Sequence, residues 1–157
     1  GRCIERADSL AHLLSTHFVG EDPLRRYEGD YLEWMGLLKS CTAFEAYCKV
    51  YTADVRPHSV AEFLILNREF PHSIAFAVDG IRSSLLAIAE HTNTRQGRAL
   101  NRLSGRLSAM VDFGQVDEIF DAGLQDYLQD VRQHCAAIHD AVYHAYILYT
   151  IEQHLGE

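Results

Sequence analysis

The chain has 157 residues, enough for one sizeable core, and nothing in its composition asks for two, so a single helical domain over 1–157 is expected. Hydrophobic residues make up 48% and charged residues 23%, and no apolar run approaches the roughly 20 residues that span a bilayer, which excludes a membrane span. With 14 Lys and Arg against 22 Asp and Glu the net charge is −8, so the long-range field repels nucleic acid and anionic lipid.

The first predicted element covers 2–18, where Ile4, Ala7, Ala11, Leu14 and Phe18 recur at helical spacing. The opening residues lack an initiator Met and already read as the interior of a helix, which points to a piece of a longer protein. A loop through Gly20, Pro23 and Gly29 leads to a second helix over 31–51, with Trp34, Leu37, Leu38, Cys41, Phe44 and Cys48 along one face. Pro57 ends the next connection. Ser59 and Glu62 have the Ser-x-x-Glu spacing of a capping box, which predicts a short helix running to about residue 68.

Pro71 stops that helix, and Ser73 is placed to cap the next, whose stripe is Ile74, Val78, Ile81, Leu85 and Ile88. After a turn at Asn93 and Thr94, a fifth helix carries Leu100, Leu103, Leu107 and Met110 and ends near Gly114. A short helical piece over 116–121 follows. Gly123 then introduces the longest stretch, in which Leu124, Leu128, Val131, Cys135, Ile138, Val142, Tyr146 and Tyr149 alternate by fours and threes. No segment alternates with period two and none repeats. The expected fold is all-α, a helical bundle of about five to seven helices with a long C-terminal helix.

Cys3, Cys41, Cys48 and Cys135 show no CxxC spacing, and three of them fall on apolar helix faces, the usage of a reducing, cytoplasmic setting. Only Lys39 and Lys49 among the cations are lysines, and arginine is the residue that makes planar, bidentate pairs with carboxylate or phosphate. Gly-rich phosphate loops and zinc spacings are missing, and the lone Glu-x-x-His, Glu69 to His72, is interrupted by Pro71. No cofactor and no metal are expected. His134, His139 and His144 are five apart and share no helix face.

Glu5, Asp8 and His12 lie on one flank of the first helix, as a trio that binds a metal or shuttles a proton or as a plain ion-pair and capping surface. Glu45 falls within the sector of Leu38, Cys41 and Cys48, and a carboxylate there is costly unless an arginine or several donors meet it. Arg6 and Arg68 are the candidates, so a buried Glu–Arg clamp is expected at Glu45. Arg95, Arg98, Arg102 and Arg106 share one face of the fifth helix, as an anion- or partner-binding row or as a solvated face paired with Asp117, Glu118 and Asp121. Leu13 projects away from the first helix's stripe, and Tyr143, Ile147, Leu148 and Ile151 away from the last helix's seam. An interface through these residues, with a second copy or with a missing half of the protein, is expected to cover them.

The string Gly1-Arg2-Cys3-Ile4-Glu5-Arg6-Ala7-Asp8 resembles the Gly-Arg-x-Ile-Glu-Arg-Ala-Asp signature of the alpha-E domain, a bacterial all-helical family named for its Glu-Arg motif. The resemblance continues through Trp34 to Leu38, Ser40 to Tyr47, Val60 to Leu64, Arg68-Glu69-Phe70-Pro71-His72-Ser73 and Gly123-Leu124. It implies that the chain corresponds to the second half of a domain about twice as long. The family pattern has Asp before the Arg and Arg after the Pro, where this chain has Asn67 and His72.

The resemblance implies no established activity, but it implies company: alpha-E domains are fused to or encoded beside circularly permuted ATP-grasp ligase-like proteins and peptidases. The function expected on that basis is an accessory, non-catalytic helical module that binds or positions a protein partner in peptide- or amide-bond synthesis or processing. The alternative is an enzyme of unknown reaction, with Glu5, Arg6 and Glu45 lining its pocket.

Overall fold

A computed structural model describes residues 1–19, 31–52, 54–92 and 95–148, with backbone only over 90–92, 95–96 and 147–148. It is all-α, 83% helical, with no strand among the described residues. The elements are α1 (Arg2–His17), α2 (Tyr31–Ser40), α3 (Phe44–Tyr51), α4 (Pro57–Leu66), α5 (Ile74–Thr92), α6 (Arg95–Asp112), α7 (Val116–Ala122) and α8 (Leu124–Val142), which runs on into a π-helical segment, Tyr143–Leu148. The loop expected over 20–30, the turn expected at Asn93 and Thr94, and the residues beyond 148 lie outside the described residues.

The long helices α1, α5, α6 and α8 pack in a ring, α1 against α8 and α5, and α6 against α5 and α8. Each contributes its apolar stripe to one core, where Ala7, Leu14, Ile74, Leu107, Leu128, Val131 and Ile138 are fully buried. Helices α1 and α8 run antiparallel: Gln125, early in α8, donates to the carbonyl of Ser15 at 3.0 Å, and Arg132, a few turns on, reaches back to Asp8. On the flank, α4 packs against α5 and α7, and α2 and α3 against α4. Aromatic rings bind this side layer, with Phe18 and Trp34 at 4.7 Å and Tyr47 and Phe63 at 5.6 Å between centroids.

Two expectations are corrected. The helix over 31–51 is split, because Thr42 adopts a left-handed φ of 53° while Thr42 N–H and Ala43 N–H bond back to the carbonyls of Lys39 and Leu38. That split raises the number of α-helices among the described residues to eight. The Ser59–Glu62 capping box is not formed: α4 begins three residues earlier than such a box would start it, with Arg56 as its N-cap and Pro57 in its first turn. The fixed φ of proline is pre-organised for that position, which leaves Ser59 inside the helix and Glu62 free to accept the Tyr51 hydroxyl at 2.7 Å. Ser73 does cap α5, its Oγ accepting the N–H of Phe76 at 3.0 Å.

Candidate functional site

Neighbouring residues on a helix point about 100° apart, so Glu5 and Arg6 of α1 cannot face the same way. Arg6 turns toward the connection between α4 and α5, where its Nη1 donates to the carbonyl of Pro71 at 2.8 Å. That connection is self-bonded. Asn67 Oδ1 accepts the N–H groups of Glu69 and Phe70 at 3.0 and 2.8 Å, and the buried Ser73 hydroxyl donates to the Asn67 carbonyl. Asn67 thus offers the turn an acceptor oxygen that an Asp in its place also has. Arg68 leaves the same turn outward, pairing through Nη1 with both Asp79 oxygens at 2.8 and 2.7 Å and through Nη2 with Asp112. The connection is therefore tied to α1, α5 and α6 by two arginines.

Glu5 faces the opposite flank. It is exposed and lines an open groove of about 380 Å³ between α1 and α8, together with Asp8, Arg132, His139 and Asp140. Ile4, Ala136 and Cys135 form its apolar part, and Cys135 is 1% exposed. Burial first, and the Asp8 carboxylate second, push the Cys135 thiol up to about 12, so it stays protonated and is no nucleophile. Asp8 accepts Arg132 Nε at 3.1 Å. The Glu5 carboxylate has no hydrogen-bond or ion-pair partner among the described residues. The groove can hold an ammonium or guanidinium group at Glu5, but its acids are spread along the helices, and no group of three or more His, Cys, Asp or Glu among the described residues could hold a metal ion.

The other sequence candidates fall elsewhere. The clamp at Glu45 is not there: Glu45 is exposed in the first turn of α3, because the break at Thr42 resets the helical register and Tyr47 takes the inward position instead. Its supposed partners Arg6 and Arg68 bond to Pro71, Asp79 and Asp112. His12 is exposed and does not line the groove. Arg98, Arg102 and Arg106 are exposed on α6, and the side chain of Arg95 lies outside the described residues. Leu13 is half-buried against the core, and Tyr143 is 42% exposed. The side chains of Ile147 and Leu148, and all of Ile151, lie outside the described residues.

A family model, described as a predicted alpha-helical domain with a conserved ER motif, matches residues 1–147. The chain belongs to the Alpha-E family. No curated protein and no solved structure gives a match. Glu5-Arg6 is the only Glu-Arg dipeptide in the sequence, so the motif of this Alpha-E chain is the pair whose two members diverge, Arg6 toward the Pro71 carbonyl and Glu5 toward the groove. Sequence reasoning missed Arg132, whose only signal was a cation on the flank of the last helix. It also missed the Pro71 acceptor, a backbone atom that no side-chain pattern reveals.

Proposed function

We propose that this Alpha-E chain is an accessory helical module of the cytoplasm that binds or positions a protein partner in an ATP-grasp-linked system for peptide- or amide-bond formation or processing. The observation that carries the proposal is the division of labour within the Glu-Arg pair. Arg6 is spent on holding α1 to the α4–α5 connection, whereas Glu5 is exposed, has no partner among the described residues and lines a groove, and so is available to a ligand. The exposed Tyr143 near the end of the described chain adds apolar surface for a second copy or for the other half of a longer Alpha-E domain.

Titrating the full-length protein against an ATP-grasp ligase-like protein of the circularly permuted kind, by isothermal calorimetry, tests the proposal. Saturable binding that weakens with Glu5→Gln supports it; no binding at tens of micromolar would remove it. An enzyme with a pocket lined by Glu5, Arg6 and Glu45 is the weaker reading, because Arg6 and Glu45 do not line the groove.

A further inference from the structure

The structure assigns the outer face of α6 as a docking surface for an acidic, amphipathic helix of a protein partner, with Arg98, Arg102 and Arg106 as its charge contacts and Phe113 as its apolar anchor. This deepens the partner-binding role proposed above and rests on that reading. Most arginines whose side chains are described are already matched: Arg6 to the Pro71 carbonyl, Arg56 to Asp54, Arg68 and Arg82 to Asp112, and Arg132 to Asp8. Apart from Arg2 at the start of the chain, the unmatched ones are the three on α6. Acids are not in short supply, since the chain carries a net charge of −8. Of the acids near the row in sequence, Asp117 is taken by His58 at 2.7 Å, and no ion pair joins Glu118 or Asp121 to the row.

Helical geometry gives the row its shape. At about 100° per residue, Arg102 lies about 40° and Arg106 about 80° around from Arg98, one turn of about 6 Å apart along the axis. Phe113 falls about 60° around, inside the same sector, and the whole face is about 22 Å long. The N–H of Phe113 bonds to the carbonyl of Ala109, so the helical geometry reaches it, and it is 81% exposed, far more than a phenylalanine with a place in the core. Ala109, also exposed, leaves the face unobstructed between Arg106 and Phe113.

A row of arginines alone is an ordinary solvated face, and a single exposed aromatic is an ordinary surface residue. Together they are the residue types that interfaces concentrate, an aromatic anchor beside guanidinium groups that bind carboxylates two-pronged. Carboxylates at i, i+4 and i+8 of a partner helix share the pitch of this row. Nucleic acid is disfavoured by the net charge and by the lack of aromatics interleaved with the arginines.

The test is an amide NMR titration of the protein with three probes: a synthetic helical peptide carrying Glu at i, i+4 and i+8 and a leucine pair one turn on, its Glu-to-Gln analogue, and a single-stranded oligonucleotide of equal charge. The acidic peptide is expected to shift amides over 98–113, to bind about tenfold more weakly to R102E/R106E and to F113S, and to bind R2E like the parent. Equal binding of the Gln peptide, shifts elsewhere, or tighter binding of the oligonucleotide to this face overturns the assignment. In the calorimetric titration with the ATP-grasp protein, binding that ignores R102E/R106E and F113S also overturns it while leaving the partner-binding role intact. Peptide binding without ATP-grasp binding supports the surface and removes only the partner named above.

Discussion

Arg6 and Pro71 stand 65 positions apart and are joined by a bond of 2.8 Å from Arg6 Nη1 to the Pro71 carbonyl. The contact links the first helix to the turn that caps α5, and that turn already satisfies its other polar groups through Asn67 and Ser73. A guanidinium is suited to this place because it keeps its charge and donates in a fixed plane.

Arg6→Ala is therefore expected to lower stability by about 1–2 kcal/mol, below the full value of a charged hydrogen bond because the contact is open to water. Urea melts of the two proteins measure the difference, and Arg6→Lys should recover part of it. An Arg6→Ala protein as stable as the parent would show that the contact does not hold the helices together.

Gly80 of α5 lies close against Cys3 of α1. A Cβ placed there would lie 2.8 Å from the Cys3 Sγ, so Gly80→Ala forces the thiol aside. Alanine is worth about 1 kcal/mol over glycine inside a helix, and the crowding is expected to cancel that gain. In a Cys3→Ala background the gain should return, so the two changes are non-additive by about 1 kcal/mol in thermal or urea melts. Additive effects would mean that the helices are not in contact here.

The pH dependence has a definite sign on the alkaline side. Burial raises the Cys135 thiol from 9.0 to about 12, and it raises the phenols of Tyr51 and Tyr127 further, with the Glu62 hydrogen bond assisting at Tyr51. The folded chain keeps these protons where the unfolded chain has lost them. Stability is then full below about pH 9 and falls as pH rises toward about 12, by at most about 1.4 kcal/mol per pH unit for each group. Urea melts from pH 8 to 11 should show this decline, with a shallower slope for Cys135→Ala above pH 9. Parallel slopes for the two proteins would contradict the burial of the thiol.

The helical stripes were legible because each long helix turns one face to a shared core, and Ile74, Val78, Ile81 and Leu85 lie where their spacing puts them. The break at Thr42 was not. A threonine at positive φ leaves no mark in the hydrophobic pattern, and one such residue was enough to carry Glu45 from the inner face to the surface. Ser59 misled for a similar reason, since the capping-box spacing was present but Pro57 offered an earlier start. At the site, the Glu-Arg string was visible as a motif, but Glu5 and Arg6 were grouped in one candidate pocket although the 100° between them on the helix sends them to two destinations. Which neighbours the two flanks of α1 would meet depended on residues far along the chain, as Arg6 meets Pro71 65 positions on and Asp8 meets Arg132 124 positions on.

The account stands on the separation of Glu5 from Arg6, and Glu5→Gln tests it most directly when stability and partner binding are measured on the same protein. An exposed carboxylate without a partner among the described residues contributes little to the fold, so the urea midpoint should move by no more than about 0.5 kcal/mol in equivalent stability. Calorimetric affinity for the ATP-grasp protein should fall about tenfold or more, the scale for losing a charge contact at an interface. A Glu5→Gln protein that is destabilised like Arg6→Ala, or that binds the ATP-grasp protein with unchanged affinity, would contradict it.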